Sequence, residues 1–217
     1  MSSFMPVECK CSICEAENTY QSITSTNAFG SPDLDLRPPE MQRSTMPYWI
    51  QKCPNCGYVS SEVSDQSCVT TEWLKTDRYL TCEGISFGSK LAEKFYQYYL
   101  ISLEDGEARN AFFAVQRAAW ACDDALDDDN AIICRKLAIT QIDKLFQDES
   151  LNQDTLRIIK ADLLRRSMLF DKLIDEYSSV HFSTDLLNRI LAFEIEKAKE
   201  HDPGCYRIEH VGTDGLH

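Results

Sequence analysis

From about residue 66 onward, apolar residues recur at intervals of three and four, which is the spacing of one helix face. Four stripes are clear: Val69/Trp73/Leu80, Leu91/Phe95/Tyr98/Tyr99, Ala111/Val115/Ala118/Cys122/Ala125 and Ile133/Leu137/Ile142/Leu145. The run Asp127–Asn130 separates the last two stripes and supplies capping residues for the next helix. Further helices are predicted over about 154–166, from Phe170 to Tyr177 and after Thr184.

The first 65 residues have a different pattern, in which short β-prone runs alternate with turn residues. Thr19–Thr26, Tyr48–Ile50 and Tyr58–Ser60 carry the strand signals. We therefore predict an α+β fold that is mostly α, with a small N-terminal domain over 1–65 and a helical domain over 66–217.

One stretch of the helical region has the pattern of a known repeat. Ala161–Tyr177 resembles the centre of a tetratricopeptide repeat, in which an aromatic residue, here Phe170, opens the second helix. The copy is degenerate, because Leu173 stands where the repeat usually has alanine. We predict a tetratricopeptide-like array of antiparallel helices, and the alternative is an irregular helical bundle.

The chain is acidic, with a formal net charge of −13 at pH 7. It has no basic stripe that could neutralise a phosphate backbone or an anionic membrane, so neither nucleic acid nor a membrane is an expected partner. No stretch approaches the roughly 18 apolar residues of a membrane span, and the N-terminus lacks the pattern of a signal peptide. We expect a protein of the reducing cytoplasm.

Two Cys-x-x-Cys motifs carry the clearest chemistry, and each can close a tight turn. In the second motif, Pro54 fixes φ on entering the turn and Gly57 permits positive φ on leaving it. Two such turns that face each other supply four thiolates to one tetrahedral ion. The predicted ligands of a structural Zn²⁺ are Cys11, Cys14, Cys53 and Cys56.

Two other interpretations of these motifs stay open. Iron could occupy the same four-sulfur site, or the motifs could be separate thiol pairs that are free or redox-active. Cys9 also precedes the first motif, but the one-residue spacer to Cys11 cannot form the usual turn. It is therefore not among the predicted ligands.

Between the two motifs, the proline-rich segment 31–44 carries charges of alternating sign. Its prolines disfavour a helix, and its charges can pair with one another to pin the loop in place. Alternatively, Arg37 or Arg43 binds a carboxylate or phosphate of a partner. The candidate partner-binding residues are Asp33, Asp35, Arg37, Glu40 and Arg43.

No catalytic residue is predicted. The chain contains no His-Glu-x-x-His, Gly-x-Ser-x-Gly, Gly-x-Gly-x-x-Gly or phosphate-loop motif. A site of four thiolates leaves no open position for water, so a zinc ion there would be structural. We do not expect an enzyme.

Several of these motifs together resemble a bacterial family called domain of unknown function 2225. The resemblance rests on the two Cys-x-x-Cys motifs, on Asp33–Met41 and Arg43–Thr45, and on Asp162–Arg166 and Gly204–Tyr206. It implies a zinc ribbon with rubredoxin-like knuckles, followed by a tetratricopeptide-like helical tail, and it implies no particular activity.

Three functional hypotheses follow. The first is a cytoplasmic zinc-binding protein that interacts with a protein or peptide partner and is not an enzyme. The second is a rubredoxin-like iron protein that transfers electrons. The third is a nucleic-acid-associated zinc ribbon, which the net charge disfavours.

Overall fold

The computed structural model describes residues 2–212, and its N-terminal part contains two β-hairpins. Strand β1 (Ser3–Lys10) pairs antiparallel with β2 (Glu17–Ser25), and β3 (Gln51–Lys52) pairs antiparallel with β4 (Val59–Ser60). The two hairpins form separate two-stranded sheets. The predicted β character of the N-terminal part is confirmed.

The strands differ from the sequence prediction in extent. The sequence prediction has no strand that corresponds to β1. Proline is a signal against a strand, although β1 continues through Pro6, and the mostly exposed side chains of β1 give no apolar alternation. The strand predicted at Tyr48–Ile50 is wrong: a 3-10 turn runs from Arg43 to Tyr48, and Trp49 keeps helical backbone angles. The extended conformation begins only with β3.

Seven α-helices follow within the described residues. They are α1 (Asp77–Leu80), α2 (Lys90–Glu104), α3 (Ala108–Asp124), α4 (Asp128–Leu145), α5 (Gln153–Arg166), α6 (Phe170–Tyr177) and α7 (Asp185–Lys199). α1 is a single turn between the 3-10 turns Trp73–Lys75 and Cys82–Gly84, and a last 3-10 turn covers Ile208–His210. The prediction of a mostly helical chain is confirmed.

Short loops determine how successive long helices pack against one another. Three residues join α2 to α3, α3 to α4 and α5 to α6, so the helices of each pair run antiparallel. α3 packs against both α2 and α4. Its stripe of Ala111, Ala118 and Cys122 is fully buried, and these small side chains let the neighbouring helices approach closely. α7 packs against α5 and α6.

The N-terminal and helical parts share one hydrophobic core. Leu34 and Tyr58 belong to the same cluster of buried residues as Phe95 of α2. Two polar contacts also join the parts: the Tyr79 hydroxyl donates to the Gly57 carbonyl (2.6 Å), and Lys52 Nζ donates to Gln97 Oε1 (2.9 Å). The division into domains 1–65 and 66–217 stays a prediction.

A fully buried ion cluster joins α5 to α7 and to the segment that follows α7. Arg165 pairs with Asp162 (2.9 Å) and with Glu194, and its Nη1 donates to the carbonyl oxygens of Asp202 (3.0 Å) and Gly204 (2.7 Å). Burial, followed by the charge of Asp162, raises the pKa of Glu194 to about 8. Two carboxyl groups thus share one guanidinium, and burial favours the protonated form of both.

Candidate metal centre

The four cysteines of the two motifs meet between the turns of the two hairpins. The Sγ atoms of Cys11 and Cys56 are 3.7 Å apart, those of Cys14 and Cys53 are 3.6 Å apart, and all four lie within 4.8 Å of one another. A tetrahedron of sulfurs with metal–sulfur bonds of about 2.3 Å has edges of about 3.8 Å. The cluster therefore has the dimensions of a metal site, as the spacing predicts.

The backbone of the two turns is built in the same way. In each, the amide of the first cysteine donates to the carbonyl five residues later, at 3.0 Å from Cys11 and 2.8 Å from Cys53. The amide four residues later donates back to the carbonyl of that cysteine, at 2.9 Å in both turns. That fourth residue has positive φ, which is 59° at Glu15 and 82° at Gly57.

Replacing Glu15 by glycine should stabilise the protein by about 1 kcal/mol. A left-handed conformation costs a residue with a Cβ atom about 1–2 kcal/mol, and glycine avoids that cost. The greater conformational freedom of glycine in the unfolded chain offsets part of this stabilisation. The lost pair with Lys10 (3.3 Å) joins two exposed side chains and contributes little. Urea unfolding of the metal-loaded protein measures the change.

Glu17→Gly is the matched control for this substitution. Glu17 is a nearby exposed acid in β2, where extended backbone makes glycine unfavourable, so this variant should lose stability. A loss in both variants would show that the conformation of Glu15 is not strained.

The cluster is buried on one side only. Cys11 and Cys53 are each 1% exposed, whereas the second cysteine of each motif is half-buried. Burial raises the pKa of the Cys11 thiol. Burial acts in the same direction on Cys14, but hydrogen bonds from the Asn55 side chain and the Ala16 amide lower its pKa to about 6. These hydrogen bonds favour the thiolate form of Cys14, which is the form that ligates a metal ion.

Within residues 2–212, no other group of three or more His, Cys, Asp or Glu side chains lies close enough together to hold a metal ion. Cys9 is in β1 opposite Asn18 and outside the cluster. All ten cysteines have free thiols. Asn55, inside the second motif, is a residue that the sequence analysis missed; a polar side chain between two predicted ligands was the available signal.

The structure places most of the candidate partner-binding residues inside the protein. Asp33, Asp35 and Arg37 are only 2–3% exposed. Asp33 pairs with Arg43 at 2.7 Å, and Arg37 pairs with Asp124 at the end of α3. These charges therefore have partners within the chain.

Asp35 joins the proline-rich loop to α3 by hydrogen bonds. Its carboxylate accepts hydrogen bonds from the Trp120 indole (2.6 Å) and from the Arg37 amide (3.1 Å), and its carbonyl accepts one from Gln116 (3.1 Å). Glu40 is exposed and Arg43 is half-buried. Contact of this segment with a partner stays a prediction, and only these last two side chains are accessible for it.

Comparisons with known proteins identify no relative. No family model matches the chain, and neither the curated proteins nor the solved structures contain a significant match. In the described part of the chain, no helix has both the length and the apolar character that crossing a bilayer requires. The cysteine cluster and the surfaces around it are therefore the features of the molecule that bear on its function.

Proposed function

We propose that this chain binds one structural Zn²⁺ and acts as a protein-interaction module without enzymatic activity. The observation that carries the metal proposal is the cluster of Cys11, Cys14, Cys53 and Cys56 at nearly tetrahedral sulfur spacing. Zinc prefers four tetrahedral ligands at structural sites, and four thiolates leave no position for a reacting water. The two hairpins would then form a zinc ribbon.

The first hairpin needs such an ion. No residue of β1 or β2 is fully buried, so this hairpin has no apolar core of its own. Cys11, at the turn of this hairpin, is buried, and an ion bound there can join the first hairpin to the second. Binding of the ion would supply the free energy that these few buried residues do not.

The helical part supports the interaction half of the proposal. Antiparallel helices joined by short loops, as in tetratricopeptide-like arrays, expose continuous surfaces that bind peptides or proteins. The absence of a disulfide at any of the ten cysteines, all of which are described, suits a reducing, cytoplasmic compartment. The net charge of −13 argues against nucleic acid.

Elemental analysis of protein purified without added metal tests the proposal. We expect about one zinc per chain and a colourless solution. A red protein that contains iron and is bleached by dithionite would reject zinc in favour of rubredoxin-like electron transfer. Protein without stoichiometric metal would reject both, and salt-sensitive binding of duplex DNA at physiological ionic strength would favour the nucleic-acid alternative.

A further inference from the structure

An open groove of about 570 Å³ separates the proline-rich loop from the helices. Leu36, Pro38 and Pro39 line it on the loop side, and Trp49 and Phe113 are among the aromatic residues of its wall. Most of the lining is apolar. The carboxylate of Asp35, the acid in the described lining, already accepts hydrogen bonds from the Trp120 indole and from the loop backbone.

Among the described residues, Arg117 of α3 is the one cation in this lining. Its guanidinium lies 5.3 Å from the ring centre of Trp49 and 5.7 Å from that of Phe113, so aromatic faces orient it. Within residues 2–212, no carboxylate lies within 4 Å of it and no side-chain hydrogen bond involves it. Burial lowers the pKa of Arg117, because no nearby acid compensates for the lost water.

An unpaired half-buried arginine is unusual in a chain with 35 acids and 22 basic residues. Of the described arginines, only Arg109 also has no ion pair, and Arg109 is exposed. A half-buried cation loses part of its hydration, and a carboxylate brought in by a ligand would compensate for that loss.

Leu36, at the rim of the groove, supplies a second observation. Its φ is 65°, a conformation that costs leucine about 1–2 kcal/mol and that glycine would adopt without strain. Its side chain is nevertheless 42% exposed, so burial in the core does not compensate for that strain. An exposed apolar side chain in a strained conformation, in the same groove as an unpaired cation, is consistent with a binding edge.

We propose that this groove binds a short extended peptide that carries one carboxylate side chain between apolar residues. The carboxylate would pair with Arg117, and the apolar neighbours would contact Leu36 and Trp49. The Gln42 side chain, in the same wall and without a hydrogen-bond partner among the described residues, can bond to the peptide backbone. This inference rests on the proposed function and names the chemistry of its partner.

An array of short peptides tests the groove. Each peptide has aspartate or glutamate between two apolar residues, and a matched copy has asparagine or glutamine there. The zinc-loaded full chain should bind acidic members roughly tenfold more tightly than their amide copies. Arg117→Met should remove that preference, whereas Arg109→Met, an exposed position in the same helix, should keep it.

Stability measurements separate binding from folding. Arg117→Met should not lower the melting temperature, because an unpaired half-buried charge gives way to an apolar side chain of similar reach. Leu36→Gly should leave stability within about 1 kcal/mol of the original while weakening peptide binding, since relief of strain offsets the added freedom of the unfolded chain. If Arg117→Met fails to fold, Arg117→Lys is measured in its place. It should weaken binding of the acidic peptides, because an ammonium group does not stack on the aromatic rings as a guanidinium does.

Three results of the peptide array would overturn the groove proposal. They are equal binding of acidic and amide peptides, an acid preference that survives in Arg117→Met or undiminished acidic-peptide binding by Arg117→Lys, and no binding of any peptide up to about 1 mM. Competition by acetate or inorganic phosphate as effective as that by the peptides would also overturn it. Zinc content is measured in the same samples. If the protein contains one zinc per chain but shows no preference for acidic peptides, only the groove proposal is rejected. If the protein contains no zinc, the metal proposal is rejected, whichever peptides bind.

Discussion

The double substitution Cys53→Ser, Cys56→Ser should abolish stoichiometric metal binding and unfold both hairpins. A structural zinc site of four thiolates contributes about 10–16 kcal/mol of apparent binding free energy, and a serine hydroxyl does not replace a thiolate ligand. The first hairpin has no buried residue in its strands and should lose its structure with the ion. Elemental analysis and limited proteolysis of residues 1–65 measure the two effects.

Cys9→Ser is the matched control, because Cys9 lies next to the cluster in sequence but outside it in the structure. This variant should keep full zinc. The helical signal in far-ultraviolet circular dichroism should persist in the double variant, since α2 to α7 bury apolar faces of their own. Zinc retained by the double variant would contradict the ligand assignment. Loss of the entire helical signal would contradict the domain boundary at residue 65.

Arg165→Met should destabilise the protein by about 3–5 kcal/mol, the range measured when one member of a buried ion pair is removed. Arg165 and Glu194 are 0% exposed, and Asp162 is 1% exposed. The substitution leaves both carboxyl groups and the carbonyls of Asp202 and Gly204 without their donor. Urea unfolding followed by circular dichroism measures the loss.

The loss should increase with pH. Without Arg165, burial favours the protonated form of Glu194 and, less strongly, of Asp162, which still lies near Arg166 and Arg135. Both groups ionise in the unfolded chain. The unfolded state then binds fewer protons, so stability falls as pH rises above the ordinary pKa of a carboxyl group.

Arg157→Met is the matched control in the same helix. The Arg157 side chain is 49% exposed, and its Asp154 partner is 3.8 Å away, so its removal should cost less than about 0.5 kcal/mol. Equal losses in the two variants would show that helix propensity rather than the buried cluster sets the effect.

The metal cluster was the most predictable part of the site. A Cys-x-x-Cys turn is closed by hydrogen bonds within six residues, so its geometry follows from a short stretch of chain. The positive φ of Gly57 was predictable from its residue type, whereas that of Glu15 was not. The turn that ends at Glu15 has the same hydrogen bonds as the turn that ends at Gly57, although its sequence has no glycine there.

The proline-rich loop was predictable only where its contacts are local. The pair of Asp33 with Arg43, ten residues apart, follows from the alternation of charge in the segment. Arg37 pairs instead with Asp124, which is 87 residues away, and Asp35 accepts from Trp120, 85 residues away. No pattern within the loop could indicate partners in α3.

The helices and the cysteine turns followed from the sequence, because both depend on interactions between residues that are near one another in the chain. The tertiary structure decided which charges are buried with a partner and which are not. Phe113 precedes Arg117 by one turn of α3, but only tertiary packing brings Trp49 against the same guanidinium and leaves it with no acid nearby among the described residues. That property arises between distant segments, where the free energy of burial depends on every group that packs around the charge.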